Sequence, residues 1–280
     1  MKGIRPEYLF ADKPYDPAVT PADYGALDIV SDGFHIYGEI MWPDSRFTDR
    51  PCVILSHGYP GTARNDDLAH ALCRIGCVVL IPHYRGAWGS QGKYLVTNCI
   101  RDLVHIIEYV QTDRFCEEYR INKALIFLIG HSMGGCVTAN AVKYTEGIRG
   151  IVLMAPFDPE KELELCGADA FWNLMQDGYC LSSDGIESIG RDLIFHSKEL
   201  SLEAAIPWLK RVDVQLIQGS FDRLTPHEIM GKRFFQQLVR QKSEHIRNLQ
   251  IYPADHGLLG CRCALVRDVA EFMEDSIEEQ

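Results

Sequence analysis

The sequence predicts an α/β architecture: a mostly parallel central sheet, helices on both faces and a helical insertion. Three observations carry this. First, short apolar runs of strand length recur at 52–56, 77–82, 125–129, 150–155 and 214–219. They are apolar almost throughout, as strands covered on both faces must be. Second, stretches with apolar residues at helical spacing separate most of them, at 65–75, 96–111 and 133–144. Third, the alternation stops after Phe157 and resumes at Val214. A strand–helix alternation of this kind demands a parallel sheet.

Taken in order, residues 1–25 are rich in Pro and Tyr and are expected to wrap the surface. A hairpin is expected from 27–30 and 34–41 across Ser31-Asp32-Gly33, where the Asp-Gly pair favours a tight turn. A buried strand at 52–56 ends in His57-Gly58-Tyr59-Pro60-Gly61. The strand at 77–82 leads into His83-Tyr84-Arg85-Gly86-Ala87-Trp88-Gly89-Ser90. The acid-rich segment 158–213 holds no long apolar strand and reads as helices placed over the sheet edge, a lid. The core (1–157 and 214–280) closes with a strand at 214–219, a helix from about Pro226, a strand at 249–252 and a last helix from about Cys261.

Composition bounds the function. The 280 residues are 46% hydrophobic and 24% charged, enough for one sizeable core. A net charge of −11 argues against a nucleic-acid partner. No segment is expected to span a membrane and none reads as an export signal. Ten cysteines, several inside apolar runs, then point to reduced thiols and a cytoplasmic location. Cys261-x-Cys263 and Cys73-x3-Cys77 lack a second ligand pair, so no metal site is expected. The loop before Gly92-Lys93 lacks the glycine spacing of a phosphate loop.

The chemistry centres on Gly130-His131-Ser132-Met133-Gly134, which follows a buried strand and opens a helix. Gly-x-Ser-x-Gly in that setting lifts a serine oxygen clear of the sheet on a strained turn. A serine hydroxyl needs a base within reach, and the base needs an orienting carboxylate. Both are expected beyond the last two strands, acid before histidine. Asp222 stands in Gly219-Ser220-Phe221-Asp222, and His256 in Asp255-His256-Gly257. The expected catalytic residues are Ser132, Asp222 and His256. The oxyanion is expected on the backbone N–H groups of Tyr59 and Met133; Pro60 has no N–H to offer. Asp255 is expected only to support, His131 to pack locally, and His70 and His105 to lie on helix surfaces. Arg85 and Trp88 either line the pocket or serve structural hydrogen bonding. Phe171, Trp172, Leu174 and Met175 either wall the pocket or form the core of the lid.

These segments resemble the α/β-hydrolase superfamily of serine hydrolases. Within it, they are similar to small bacterial esterases, feruloyl esterases included, and to prolyl-oligopeptidase-like and serine-aminopeptidase-like catalytic domains. The resemblance covers residues 25–275 except the lid. It implies an α/β-hydrolase fold, Ser132 as nucleophile, Asp222 as orienting acid and His256 as base, with no cofactor. It implies a small-molecule ester or a short peptide as substrate. No β-propeller precedes the core, so gating by substrate size in the oligopeptidase manner is not expected. The leading expectation is a carboxylesterase working through an acyl-enzyme on Ser132. A serine peptidase or amidase, and a binding protein that keeps the hydrolase shell, are the alternatives.

Overall fold

A computed structural model describes residues 3–165 and 167–278. Met1, Lys2, Cys166, Glu279 and Gln280, and the parts of the surface-wrap and lid expectations that fall on them, lie outside the described residues. The sheet has eight strands: β1 (Asp23–Ser31), β2 (Phe34–Trp42), β3 (Arg50–Ser56), β4 (Val78–Pro82), β5 (Ile121–His131), β6 (Ile148–Met154), β7 (Asp213–Gly219) and β8 (Arg247–Tyr252). Their spatial order is β1-β2-β4-β3-β5-β6-β7-β8. β1 and β2 form the expected antiparallel hairpin, and β2 also runs antiparallel to β4. All remaining pairings are parallel.

Side chains alternate faces along each strand, and the core divides accordingly. Ile126 and Leu128 of β5 join one apolar cluster, with Leu103 and Ile107 of α2 (Val96–Val110) and Val137 of α4 (Met133–Ala141). Phe127 and Ile129 of the same strand face the other cluster, with Leu68 and Leu72 of α1 (Asp66–Ile75) and Val269 and Met273 of α10 (Arg262–Glu278). Both faces of the central strands are therefore covered, which explains their unbroken apolar runs.

A helix not expected from the sequence, α3 (Asp113–Tyr119), precedes β5. Its seven residues are too few for a clear apolar period. The signal was a cap: Thr112 accepts the Phe115 N–H, and Arg120 ends the helix in the left-handed region at φ 57°. Between β6 and β7 run α5 (Pro159–Leu165), α6 (Gly167–Met175), α7 (Ile186–Leu200) and α8 (Leu202–Leu209). β6 and β7 pair directly with each other, so this segment leaves from within the sheet. Phe171, Ile189 and Leu193 pack into the same cluster as Met133 and Phe157. Asp213 is the first residue of β7 and is fully buried. A π-helical turn, His227–Gly231, precedes α9 (Lys232–Arg240), where a single helix was expected. Among the described residues, no helix is long and apolar enough to cross a membrane.

Candidate active site

Ser132 sits at the junction of β5 and α4 with φ 56° and ψ −121°. A β-carbon forces most residues out of that region, so the turn is strained. The surroundings hold it there. Ser132 N–H donates to the Met154 carbonyl at 2.9 Å, and its own carbonyl accepts from Phe157 and Gly135, each at 2.9 Å. The flanking glycines are required by space. A β-carbon on Gly130 would strike the Gly134 carbonyl, and one on Gly134 would strike the Ser56 carbonyl on the neighbouring strand.

Asp222 follows β7 and is nearly buried. Its Oδ1 accepts the N–H groups of Leu224 (2.8 Å) and Thr225 (2.9 Å). Its Oδ2 lies 2.6 Å from Thr225 Oγ1 and 2.8 Å from Nδ1 of His256. Burial works to raise this carboxyl, but the hydrogen bond and charge of His256 and the bonds from Thr225 outweigh it, holding the group below the usual carboxylate range. His256 follows β8. With Nδ1 engaged by Asp222, its Nε2 has no hydrogen-bond partner among the described residues, and the ring lines the same cavity as Ser132. Ser132 Oγ and His256 are not hydrogen-bonded to each other in this structure, and such contacts commonly tighten only when substrate is bound.

Thr225 was missed in the sequence. Its hydroxyl lies against Asp222 Oδ2, the Ala155 carbonyl (3.1 Å) and His256 Nδ1 (3.2 Å). The signal was present: a hydroxyl three residues after an aspartate commonly closes a local turn. His131 packs locally, as expected; its Nε2 lies 2.9 Å from the His256 carbonyl, bracing the loop that carries the imidazole. Burial pushes its own pKa down to about 4.

The loop after β3 crosses directly beside the serine. A β-carbon on Gly58 would lie 3.0 Å from Ser132 Cβ and 3.5 Å from its Oγ. The backbone N–H groups of Tyr59 and Met133 have no partner among the described residues. His57, also missed, is completely enclosed and donates from Nδ1 to the Gly58 carbonyl at 2.8 Å. That carbonyl belongs to the peptide unit carrying the Tyr59 N–H, so the bond fixes where the N–H points. Burial pushes the His57 pKa down to about 4.

The cavity holding Ser132 and His256 measures about 80 Å³ and is walled by Phe157, Leu174, Met175 and Leu193, with Asp177 at its margin. Of the proposed pocket residues, Met175 therefore lines it. Phe171 does not: it is wholly buried in the core. Trp172 packs edge-on to Phe171 and against Gly190. Trp88 is half-exposed, lining a separate depression with Gly61 and His83, and donates to the Pro60 carbonyl of the loop after β3 at 3.3 Å. Arg85 is buried, and its Nε donates to Asp102 of α2 at 2.8 Å. Its Nη2 donates to Ser31 Oγ at 2.9 Å and Asp32 at 3.0 Å, tying the β1 end and the β4 loop to α2. His105 is half-buried beside this group, 2.7 Å from Ser31 Oγ, and is not a free surface residue. Among the described residues no cluster could hold a metal ion.

Sheet order, strained turn and strand-end loops together give the chain the α/β-hydrolase fold. A family model described as serine aminopeptidase, S33, matches residues 48–175. Monoglyceride lipase of Rattus norvegicus is 27% identical over 132 residues, covering 45% of this chain and 41% of the lipase. That of Mus musculus is likewise 27% identical over 132 residues, with the same coverage of both chains. The matched part spans about two fifths of these curated relatives. Among solved structures, an esterase of Pyrococcus furiosus superposes with a TM-score of 0.66 at 19% identity, covering 90% of this chain and 91% of that one. Est1E from Butyrivibrio proteoclasticus, solved with ferulic acid bound, superposes with a TM-score of 0.69 at 17% identity, covering 90% and 100%.

Proposed function

We propose that this chain is a serine hydrolase of carboxylic esters, with Ser132 as nucleophile, His256 as base and Asp222 as its orienting acid. Its basis is one arrangement: a serine on a strained turn shares a small cavity with an imidazole whose far nitrogen is held by a buried carboxylate 2.8 Å away. His256 Nε2 takes the Ser132 proton as Oγ attacks the ester carbonyl. The oxyanion settles on the N–H groups of Tyr59 and Met133, which are otherwise unclaimed. His256 then protonates the leaving alcohol. Water, activated by the same imidazole, releases the acid from Ser132. The esterase and lipase relatives support ester chemistry. The helices within residues 158–213 act as the cap, a reading supported by Leu174, Met175 and Leu193 on the cavity wall.

A peptidase or amidase reading has one observation of its own: Asp177 stands at the cavity margin, where a carboxylate could receive a substrate's α-amino group. Initial rates on aryl acetates and on aminoacyl anilides test the choice. Fast ester cleavage with negligible anilide cleavage is expected; the reverse would overturn the esterase reading in favour of the peptidase.

A further inference from the structure

The two sides of the cavity are built differently, and the difference bears on which part of an ester goes where. The proposal rests on the esterase reading above. A leaving oxygen must lie within hydrogen-bond reach of His256, which gives it a proton. The carbonyl oxygen must point at the N–H groups of Tyr59 and Met133. In the sheet, Tyr59 follows β3 on one side of Ser132, while Asp222 and His256 follow β7 and β8 on the other. The leaving alcohol therefore projects toward the loops after β7 and β8.

Those loops touch: Ser220 N–H donates to the Tyr252 carbonyl at 2.8 Å, and Phe221 N–H to Ala254 at 3.0 Å. They present large apolar side chains to solvent: Phe221 is 68% exposed, Leu224 49% and Leu259 73%. Leu224 also lines the cavity, so the apolar surface runs from inside to outside. The cap side is closed. Tyr59 Oη donates to the Met175 carbonyl at 2.7 Å, fastening α6 to the oxyanion loop, and Gly178 lies so close to the Tyr59 ring that no side chain fits between them. The cavity's 80 Å³ is well below the roughly 300–1,000 Å³ of a site that swallows a drug-sized ligand. It has room for roughly half a dozen water-sized groups.

We propose that the substrates are esters of a short acid with a larger apolar alcohol: the acyl group occupies the closed cap side, and the alcohol lies over Phe221, Leu224 and Leu259. Two series of esters test this, read as kcat/KM so that acylation is followed. Acetates of ethanol, butanol, hexanol and octanol should rise by about twofold per added methylene, as partial burial of each CH2 implies. Ethyl esters of acetic, butyric, hexanoic and octanoic acid should fall once the acid exceeds about five carbons, the reach of a space this size. Phe221→Ser and Leu259→Ser should each flatten the alcohol series relative to the acyl series. A fluorophosphonate is run alongside. If Ser132 is labelled but rates climb with acyl length and ignore the alcohol, the subsite assignment is overturned and the hydrolase reading stands. If Ser132 is not labelled and no ester is cleaved, both fail.

Discussion

His57 donates from Nδ1 to the carbonyl of Gly58 at 2.8 Å, and the peptide unit so pinned carries the N–H of Tyr59 beside Ser132. An asparagine places its amide nitrogen near the position of Nδ1. His57→Asn should therefore keep most of the activity, whereas His57→Leu, with no donor, should lower kcat by about tenfold to a hundredfold with little change in KM, a part of what a lost oxyanion donor costs. Equal losses in the two variants would contradict the role.

The acid and its hydroxyl partner make a graded pair. Asp222→Asn should lower kcat by about 10⁴-fold, because the imidazole loses the carboxylate that sets its tautomer. Thr225→Val removes one hydrogen bond to Asp222 and should cost about tenfold, the equivalent of a bond of roughly 1.4 kcal/mol. Steady-state kinetics on an aryl acetate measures both. A Thr225→Val enzyme as impaired as Asp222→Asn would mean that the threonine does more than steady the acid.

Stability should depend on pH through two buried imidazoles. Burial holds His57 and His131 at about 4 in the folded protein, against 6.5 for the free side chain. Between those values the unfolded chain binds more protons than the folded one, so stability rises with pH. Their contribution is complete above about 6.5 and is lost as the pH falls toward 4. The urea midpoint should drop through that window, and His131→Leu should reduce the slope. Asp222 acts lower, because its carboxyl is held below the ordinary value, so its contribution is lost only as the pH falls through that depressed value. A midpoint flat from pH 6.5 to 4 would count against the buried neutral imidazoles.

Arg85 supports the fold without touching the cavity. Arg85→Ala strips the charged partner from Asp102, which is fully buried, and leaves it the bonds from Ser31 Oγ and the residue 85 backbone N–H. Breaking a buried pair in this way costs about 3–5 kcal/mol. Thermal unfolding should show the loss, while kcat/KM at low temperature should change less than threefold. A large loss of kcat/KM in a well-folded sample would return Arg85 to the substrate pocket.

The parts of this structure that were legible in the sequence depend on local backbone geometry and chain order. The glycines around Ser132 are required by contacts one residue pattern can announce, and Asp222 and His256 occupy strand-end loops in the order the fold requires. The pocket was not legible. Whether Phe171 or Met175 of α6 faces the cavity is set by how that helix rotates against α7, which no local pattern encodes. For Arg85 the sequence left a pocket role and structural hydrogen bonding equally open, because its partner, Asp102, lies on a different element. His57 and Thr225 were hidden for the same reason: their roles lie in bonds to loops, and only the folded chain shows them.

The most direct measurement is the site of covalent capture. A fluorophosphonate added to the folded protein at neutral pH, followed by mass spectrometry of the digest, should give one adduct, on Ser132. The adduct should be absent in Ser132→Ala and form far more slowly in a His256→Ala variant. An unlabelled Ser132 in folded protein, or capture that persists at another residue when Ser132 is replaced, would contradict the account.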